Sequence, residues 1–292
     1  MQLAQLLDDD HSRAAELDPQ AVDLRRAREV TYVLRNDVAY EYPAPIRALQ
    51  HRFVVVPRLR HDDQRRVAHR LRVDAGPTTA VTRRRDRFGN PIVDLDAPVV
   101  RDRISFTMRA VIHRSHGAVH ERSWRPAHST PTELTTVDDD LRDAAHAIDP
   151  RAAGEPLATA ICDTVHDAMT YRFDTTTVRT TAGQAWQGRH GVCQDMAHVM
   201  IAMCRARGLA ARYVSGHLVG EGASHAWVEV HDAATGRALA YDPTHGRRTD
   251  MRYVTVAVGR DYRDVAPTAG HYRSGPRGTL SVRKAVAIAA IR

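Results

Sequence analysis

Cysteine is scarce in this chain. Three occur in 292 residues, an odd number and too few for a disulfide framework. No Cys-x-x-Cys pair occurs, so a thiolate zinc site is not expected. Aromatic residues make up only 5%, which weighs against a base-stacking nucleic-acid surface. Lysine is almost missing: Lys284 is the sole lysine among 42 basic residues. No apolar run is long enough to span a bilayer, and the C-terminal run 285–291 is only strand-sized. The first ten residues lack the basic start and apolar middle of a signal peptide, so cytoplasmic residence is expected.

What is present fits a globular chain of one or two domains. Hydrophobic residues make up 43% and charged residues 26%, enough to bury a real core. The formal charge is +7, but the arginines are scattered among 35 acidic residues. A solvated basic surface is expected, with no nucleic acid or membrane as partner. The arginine preference, beside abundant Ala, Asp and Val, fits a GC-rich coding genome.

Three regions follow from the patterning. Residues 1–28 read as a polar N-terminal extension with a broken amphipathic stripe interrupted at Pro19. Residues 29–125 carry strand-like segments at 29–42, 48–57, 67–73, 92–96 and 104–113. Turn signals such as Ala75-Gly76-Pro77 and Phe88-Gly89-Asn90-Pro91 separate them, predicting an antiparallel sandwich-like domain. The stretch 124–131 reads as a linker. Over 130–292 the period changes, with helices predicted at 138–148, 155–169 and 192–207, the last stopped by Gly208. Residues 175–190 read as loop. Strands follow at 211–219, 224–231, 238–241, 253–258 and 279–291. The fold class expected is therefore α+β.

The chemistry concentrates in Gly191-Val192-Cys193-Gln194-Asp195. It sets a cysteine at the start of a helix, where unpaired amide donors and the positive end of the dipole favour a nucleophilic sulfur. Such a nucleophile needs a base, and the base needs an acceptor that orients it. Downstream, Ser224-His225-Ala226-Trp227-Val228-Glu229 alternates as a strand, and Tyr241-Asp242-Pro243-Thr244 ends another. A turn centred near residue 234 would pair position 225 with about 243, bringing Asp242 beside His225. Cys193, His225 and Asp242 then form the candidate catalytic set.

These motifs resemble the transglutaminase-like superfamily, and more narrowly its bacterial cysteine protease branch. Tyr42-Pro43-Ala44-Pro45, Arg87-Phe88-Gly89-Asn90 and the stretch from Gly259 to Pro267 resemble the same branch, so the likeness runs from residue 29 to the end. It implies a papain-like core with Cys193 as nucleophile, His225 as base and acid, and Asp242 as orienter. The implied chemistry is acyl transfer at a peptide or protein carboxamide through a thioester, with hydrolysis favoured, and with no cofactor and no metal. Two alternatives stay open: transamidation, and a non-catalytic scaffold that recognises an acidic partner.

An acyl transfer also needs an oxyanion hole. The Cys193 amide is one donor, and Gln187, Gln184, Trp186 and Tyr171 are candidates for the second. Cys162 and Cys204 sit among apolar helix neighbours and read as core. His190, His198, His217, His231 and His245 lie near the motifs without a convincing ligand spacing. Asp195 and His198 share a helix with Cys193, where a structural hydrogen bond explains them as well as catalysis does. Trp227 is expected in the core.

Overall fold

The computed structural model describes residues 27–117 and 124–292, together with Leu7, Asp23 and Leu24. The rest of the expected N-terminal extension, with its amphipathic stripe, lies outside the described residues.

The first half of the chain is a run of antiparallel strands: β1 (Glu29–Glu41), β2 (Ile46–Phe53), β3 (Arg60–His61), β4 (Gln64–Asp74), β5 (Ala80–Arg85), β6 (Pro91–Val100) and β7 (Arg103–Ser115). Alternation decides how they stack. Tyr32, Leu34 and Val38 of β1 and Ile104, Phe106 and Met108 of β7 turn inward, because side chains two apart share a face. Phe53 of β2 meets Phe106 edge-on with ring centroids 4.4 Å apart, closing the sandwich. β5, six exposed residues ending in three arginines, was not foreseen; it has no apolar face to betray it.

The second half contributes α1 (Asp139–Ala147), α2 (Gly154–Ala168), the short parallel pair β8 (Thr170–Tyr171) and β9 (His190–Gly191), α3 (Ala182–Gly188) and α4 (Cys193–Ala206). A meander follows: β10 (Ala211–Leu218), β11 (His225–Asp232), β12 (Arg237–Asp242), β13 (Arg247–Arg248) and β14 (Tyr253–Gly259). These pair in the order β13-β12-β11-β10-β14. α3 lies where the sequence reads as loop. Its start is a reciprocal cap, with Thr181 Oγ1 accepting from Gln184 N and Gln184 Oε1 from Thr181 N. α4 is buried on all sides from Gln194 to Arg205, the mark of a central helix. Arg205 is tolerated there because its guanidinium donates to the carbonyls of His128, Ala211 and Arg260 and to Thr135 Oγ1. Gly208, at φ +76°, turns the chain out of the helix.

After a last short helix, α5 (Tyr262–Val265), the chain returns to its beginning. β15 (Thr268–His271) pairs with β2, and β16 (Thr279–Ile291) pairs with β1 along its whole length. The sandwich sheets are thus β16-β1-β7-β4-β3 and β15-β2-β6-β5. The sequence reading grouped 130–292 as one catalytic domain; by strand pairing, 268–291 builds the N-terminal sandwich. Periodicity identifies a strand but not its partner, which is why the division at residue 130 could not show this.

Two amide side chains dock the halves. β14 is an edge strand, and Gln64 brackets Thr255 with both its amide groups (2.7 and 2.9 Å). Asn90 does the same to Val258 (2.7 and 3.0 Å). Each amide carries a donor and an acceptor, as a backbone residue does, so the two, with Arg58 N donating to Val256 O (3.2 Å), cap the open edge. The Arg87-Phe88-Gly89-Asn90 turn holds Asn90 in place through Asp86, and Gly89 at φ +83° makes its bend. The expected linker also packs: Trp124 lies under the Arg212 guanidinium, 4.6 Å from ring centre to Cζ.

Candidate active site

Cys193 is the first residue of α4, and Asp195 builds that helix start. Its Oδ2 accepts from Val192 N (2.8 Å) and from Thr176 Oγ1 (2.6 Å), tying the 175–180 loop to the helix. The Cys193 amide, first of the helix, has no intrahelical acceptor. Gly191 is required because a Cβ there would lie 2.6 Å from Asp195 Cβ. Burial raises the Asp195 carboxyl above its ordinary range, against the pull of its Thr176 and Val192 bonds. Asp195 and His198 therefore have structural partners. His198, fully buried and held neutral by that burial, accepts from Tyr262 N (3.1 Å).

His225 opens β11 opposite Gly216 of β10. A Cβ on Gly216 would meet Trp227 at 2.4 Å, so the glycine makes room for the indole. Trp227 is buried, stacks 6.4 Å from His225 and packs edge-on against Tyr253. Its core role is as expected.

The register places Asp242. β11 and β12 pair Val228 with Tyr241, and one further step sets Trp227 across from Asp242. Position 225 thus faces 244, one residue from the expected 243. That step matters, because a shift of one turns every side chain to the other face. In the observed register His225 and Asp242 are diagonal neighbours on the same face. His225 Nε2 donates to Asp242 Oδ2 at 2.8 Å.

Asp242 is fully buried and saturated with donors. Oδ2 also accepts from His245 Nδ1 (2.7 Å) and Tyr253 Oη (2.7 Å), and Oδ1 accepts from Thr244 N (3.0 Å). Burial alone would raise its carboxyl, but the bonds from His225 and His245 hold it well below the ordinary range. Burial likewise pushes the His225 imidazole down. The Asp242 bond and the hydrogen bond with Cys193 outweigh it, and the ring is raised to about 10. The structure therefore brings Cys193, His225 and Asp242 into one line, imidazole in the middle.

Sequence reasoning missed three neighbours. His245 was noted only as a metal candidate, although its three-residue spacing from Asp242 was legible. Tyr253 arrives on β14 from a different part of the sheet, with no local signal. Glu221, on the turn before β11, sits 3.8 Å from His225 Nδ1 and 3.5 Å from His245 Nε2. The ligand atoms of His225, Asp242 and His245 lie within 4.8 Å of one another, close enough to hold a metal ion. Both imidazoles here aim a nitrogen at the same carboxylate oxygen, the geometry of a hydrogen-bonded pair.

Of the four side chains considered for the oxyanion, three are engaged elsewhere. Gln184 caps α3, Gln187 donates to Asp138 (3.1 Å), and Trp186 is buried under Arg189. Tyr171 is half exposed and within electrostatic reach of Cys193 and Glu221; burial first, then those charges, raise its hydroxyl to about 12. Cys162 and Cys204 are buried, each pushed up to about 12 by burial. The cleft beside Cys193 has a volume of about 290 Å³ and lies between α4, the start of β11 and the face of β1 and β16. Among the described residues, no helix is long and apolar enough to cross a membrane.

Comparison with known proteins identifies the family and the fold. Residues 143–243 match the sequence profile of the transglutaminase-like superfamily, and residues 32–113 that of the bacterial transglutaminase-like N-terminal region. An uncharacterized protein of Mycobacterium tuberculosis is 32% identical over 275 residues, covering 82% of this chain and 86% of its own. One from Mycobacterium leprae is 29% identical over 260 residues, covering 81% and 91%. Among solved structures, "a Putative Cysteine Protease from Cytophaga hutchinsonii" superposes with a TM-score of 0.69 at 20% identity, covering 89% of this chain and 98% of that one. At that identity the likeness concerns the fold.

Proposed function

Since the chain belongs to the transglutaminase-like superfamily, we propose that it hydrolyses peptide or protein carboxamides through a thioester on Cys193. The observation that carries this reading is the chain of hydrogen bonds from buried Asp242 through buried His225 to half-buried Cys193. In it, the Cys193 proton is already held on His225, and Cys193 Sγ attacks the carbonyl carbon beside the imidazolium. The negative charge on the carbonyl oxygen is met by the Cys193 amide and by the Tyr171 hydroxyl. His225 gives its proton to the departing nitrogen, the C–N bond breaks, and an acyl thioester remains. Water then attacks the thioester with His225 as base, releasing a carboxylic acid and the free thiol. Asp242 holds the ring's tautomer and stabilises its cationic form throughout.

Hydrolysis is favoured over transamidation on physical grounds. Cys193 is only half buried, in a cleft whose rim carries exposed Leu280 and Val282. Water therefore reaches the thioester, whereas transfer to an amine requires a site that excludes it.

The test is alkylation followed by turnover. Iodoacetamide, read by peptide mass, is expected to label Cys193 much faster than Cys162 or Cys204. Cys193→Ala is expected to abolish cleavage in an unbiased peptide-library screen. Equal labelling of the three cysteines would refute an activated thiol. Incorporation of an added primary amine in place of hydrolysis would move the assignment to transamidation.

A further inference from the structure

The sole lysine of the chain lies in the wall of this cleft. Lys284 is on β16, directly opposite Asn36 of β1, and both line the cavity that holds Cys193 and His225. Its ammonium donates to Ser224 Oγ at 3.1 Å, and Ser224 adjoins His225. Among the described residues no carboxylate is within salt-bridge distance of it. His217, fully buried and held neutral chiefly by that burial, adds no charge beside it. A half-buried cation with a single hydroxyl for company leaves desolvation uncompensated, which an anionic ligand would offset.

Asn36 supplies an independent observation. Its side chain is 4% exposed, lines the same cavity, and its Oδ1 has no hydrogen-bond partner. A buried acceptor left open in a cleft wall is the complement of an N–H from a ligand. Register neighbours on adjacent strands hold their Cβ atoms about 5 Å apart, so the acceptor and the ammonium address adjoining groups. Further along the same face, Val38 pairs with Val282 and Tyr40 with Leu280, giving an apolar continuation.

We propose that the β1–β16 strand pair selects the substrate, with Lys284 binding a carboxylate on the residue next to the scissile carboxamide and Asn36 Oδ1 accepting that residue's N–H. The assignment rests on the thiol chemistry proposed for Cys193. A singly charged carboxylate fits one ammonium and one hydroxyl; a doubly charged phosphate calls for an arginine fork, and no arginine is among the described residues that line the cleft. The carboxylate could be a Glu or Asp side chain or a C-terminal α-carboxylate.

Two alkylating agents of similar size test this without a known substrate. Iodoacetate carries a carboxylate and iodoacetamide does not. The ratio of their rates at Cys193, measured by mass spectrometry, is expected to fall about five-fold in Lys284→Met. Lys284→Gln should match it, and Lys284→Arg should keep the ratio. An unchanged ratio in the folded Met and Gln variants would overturn the assignment. Failure of both reagents to prefer Cys193 over the buried cysteines would instead refute the thiol reading beneath it. Peptide pools matched as Glu against Gln, and as free against amidated C-terminus, then identify the carboxylate's source. Preference in either pair that disappears in Lys284→Met supports the proposal, and preference in neither overturns it. Asn36→Leu is expected to raise KM for the preferred pool more than it lowers kcat.

Discussion

Asp242→Asn is the most informative single change. The carboxylate, itself fully buried, accepts from two imidazoles, a phenol and a backbone amide, all at 2.7–3.0 Å. Asparagine keeps the shape but replaces one acceptor oxygen by a donor, so donors that met on the carboxylate must face an NH₂ group or share the remaining oxygen. The effect on His225 can be sized. Its ring is raised from 6.5 to about 10, so at pH 7 the folded state holds a proton that the unfolded state mostly lacks. That linkage contributes on the order of 4 kcal/mol. Because the folded value is the higher one, the contribution is complete below pH 6.5 and is lost as pH rises through about 10. Asp242 is displaced the other way, so its share is present above its unfolded value of 3.8 and is lost only as pH falls below that through the lower folded value. Wild-type protein should therefore lose thermal stability between pH 7 and pH 10. Asp242→Asn should show much of that slope removed, beginning from a lower melting temperature. Iodoacetamide labelling of Cys193 at pH 7 should slow by at least about 100-fold, and turnover should fall by about 10⁴-fold, the loss in kcat when a triad acid is neutralised. A variant that keeps the wild-type slope and labelling rate would show that Asp242 does not hold the proton on His225.

Three further outcomes follow from contacts outside that line. Glu229 is buried between Arg212 Nε (2.6 Å) and His61 Nε2 (2.7 Å); Glu229→Gln leaves the guanidinium charge buried, costs about 3–5 kcal/mol, and should lower the melting temperature by roughly 8–15 °C, whereas a shift within error would contradict it. Asn90→Ala removes both bonds to the edge of β14. It should accelerate hydrogen exchange at the Val258 amide and cost about 2–4 kcal/mol in denaturant unfolding, and unchanged exchange would argue against amide docking. Gly191→Ala puts a methyl 2.8 Å from Asp195 Oδ2, so displacement of the cap should slow Cys193 labelling by about ten-fold, a loss of order 1–2 kcal/mol.

The sequence by itself determined most of the elements, β5 and α3 excepted, and the candidate residues for chemistry. A helix start leaves its amides unpaired wherever it lies in the fold, so Cys193 after Gly191 could be read without coordinates. Period-two alternation around His225 and the Pro after Asp242 marked two strands, and the turn between them confined their pairing to within one residue. Cys162 and Cys204, among apolar helix neighbours, were legible as core. Three kinds of fact were beyond such reading. The register between β11 and β12 decides which face Asp242 takes, and one residue of slip reverses it. Tyr253 reaches the carboxylate, and Gln64 and Asn90 reach β14, across long separations with no local pattern to announce them. The pairing of β16 with β1 brings the last residues of the chain, Lys284 among them, to the wall of the cleft. Local propensity acts over a turn or a strand and is written in neighbouring residues. Partner choice between strands is settled by which apolar faces can be buried together, and only the folded chain decides that.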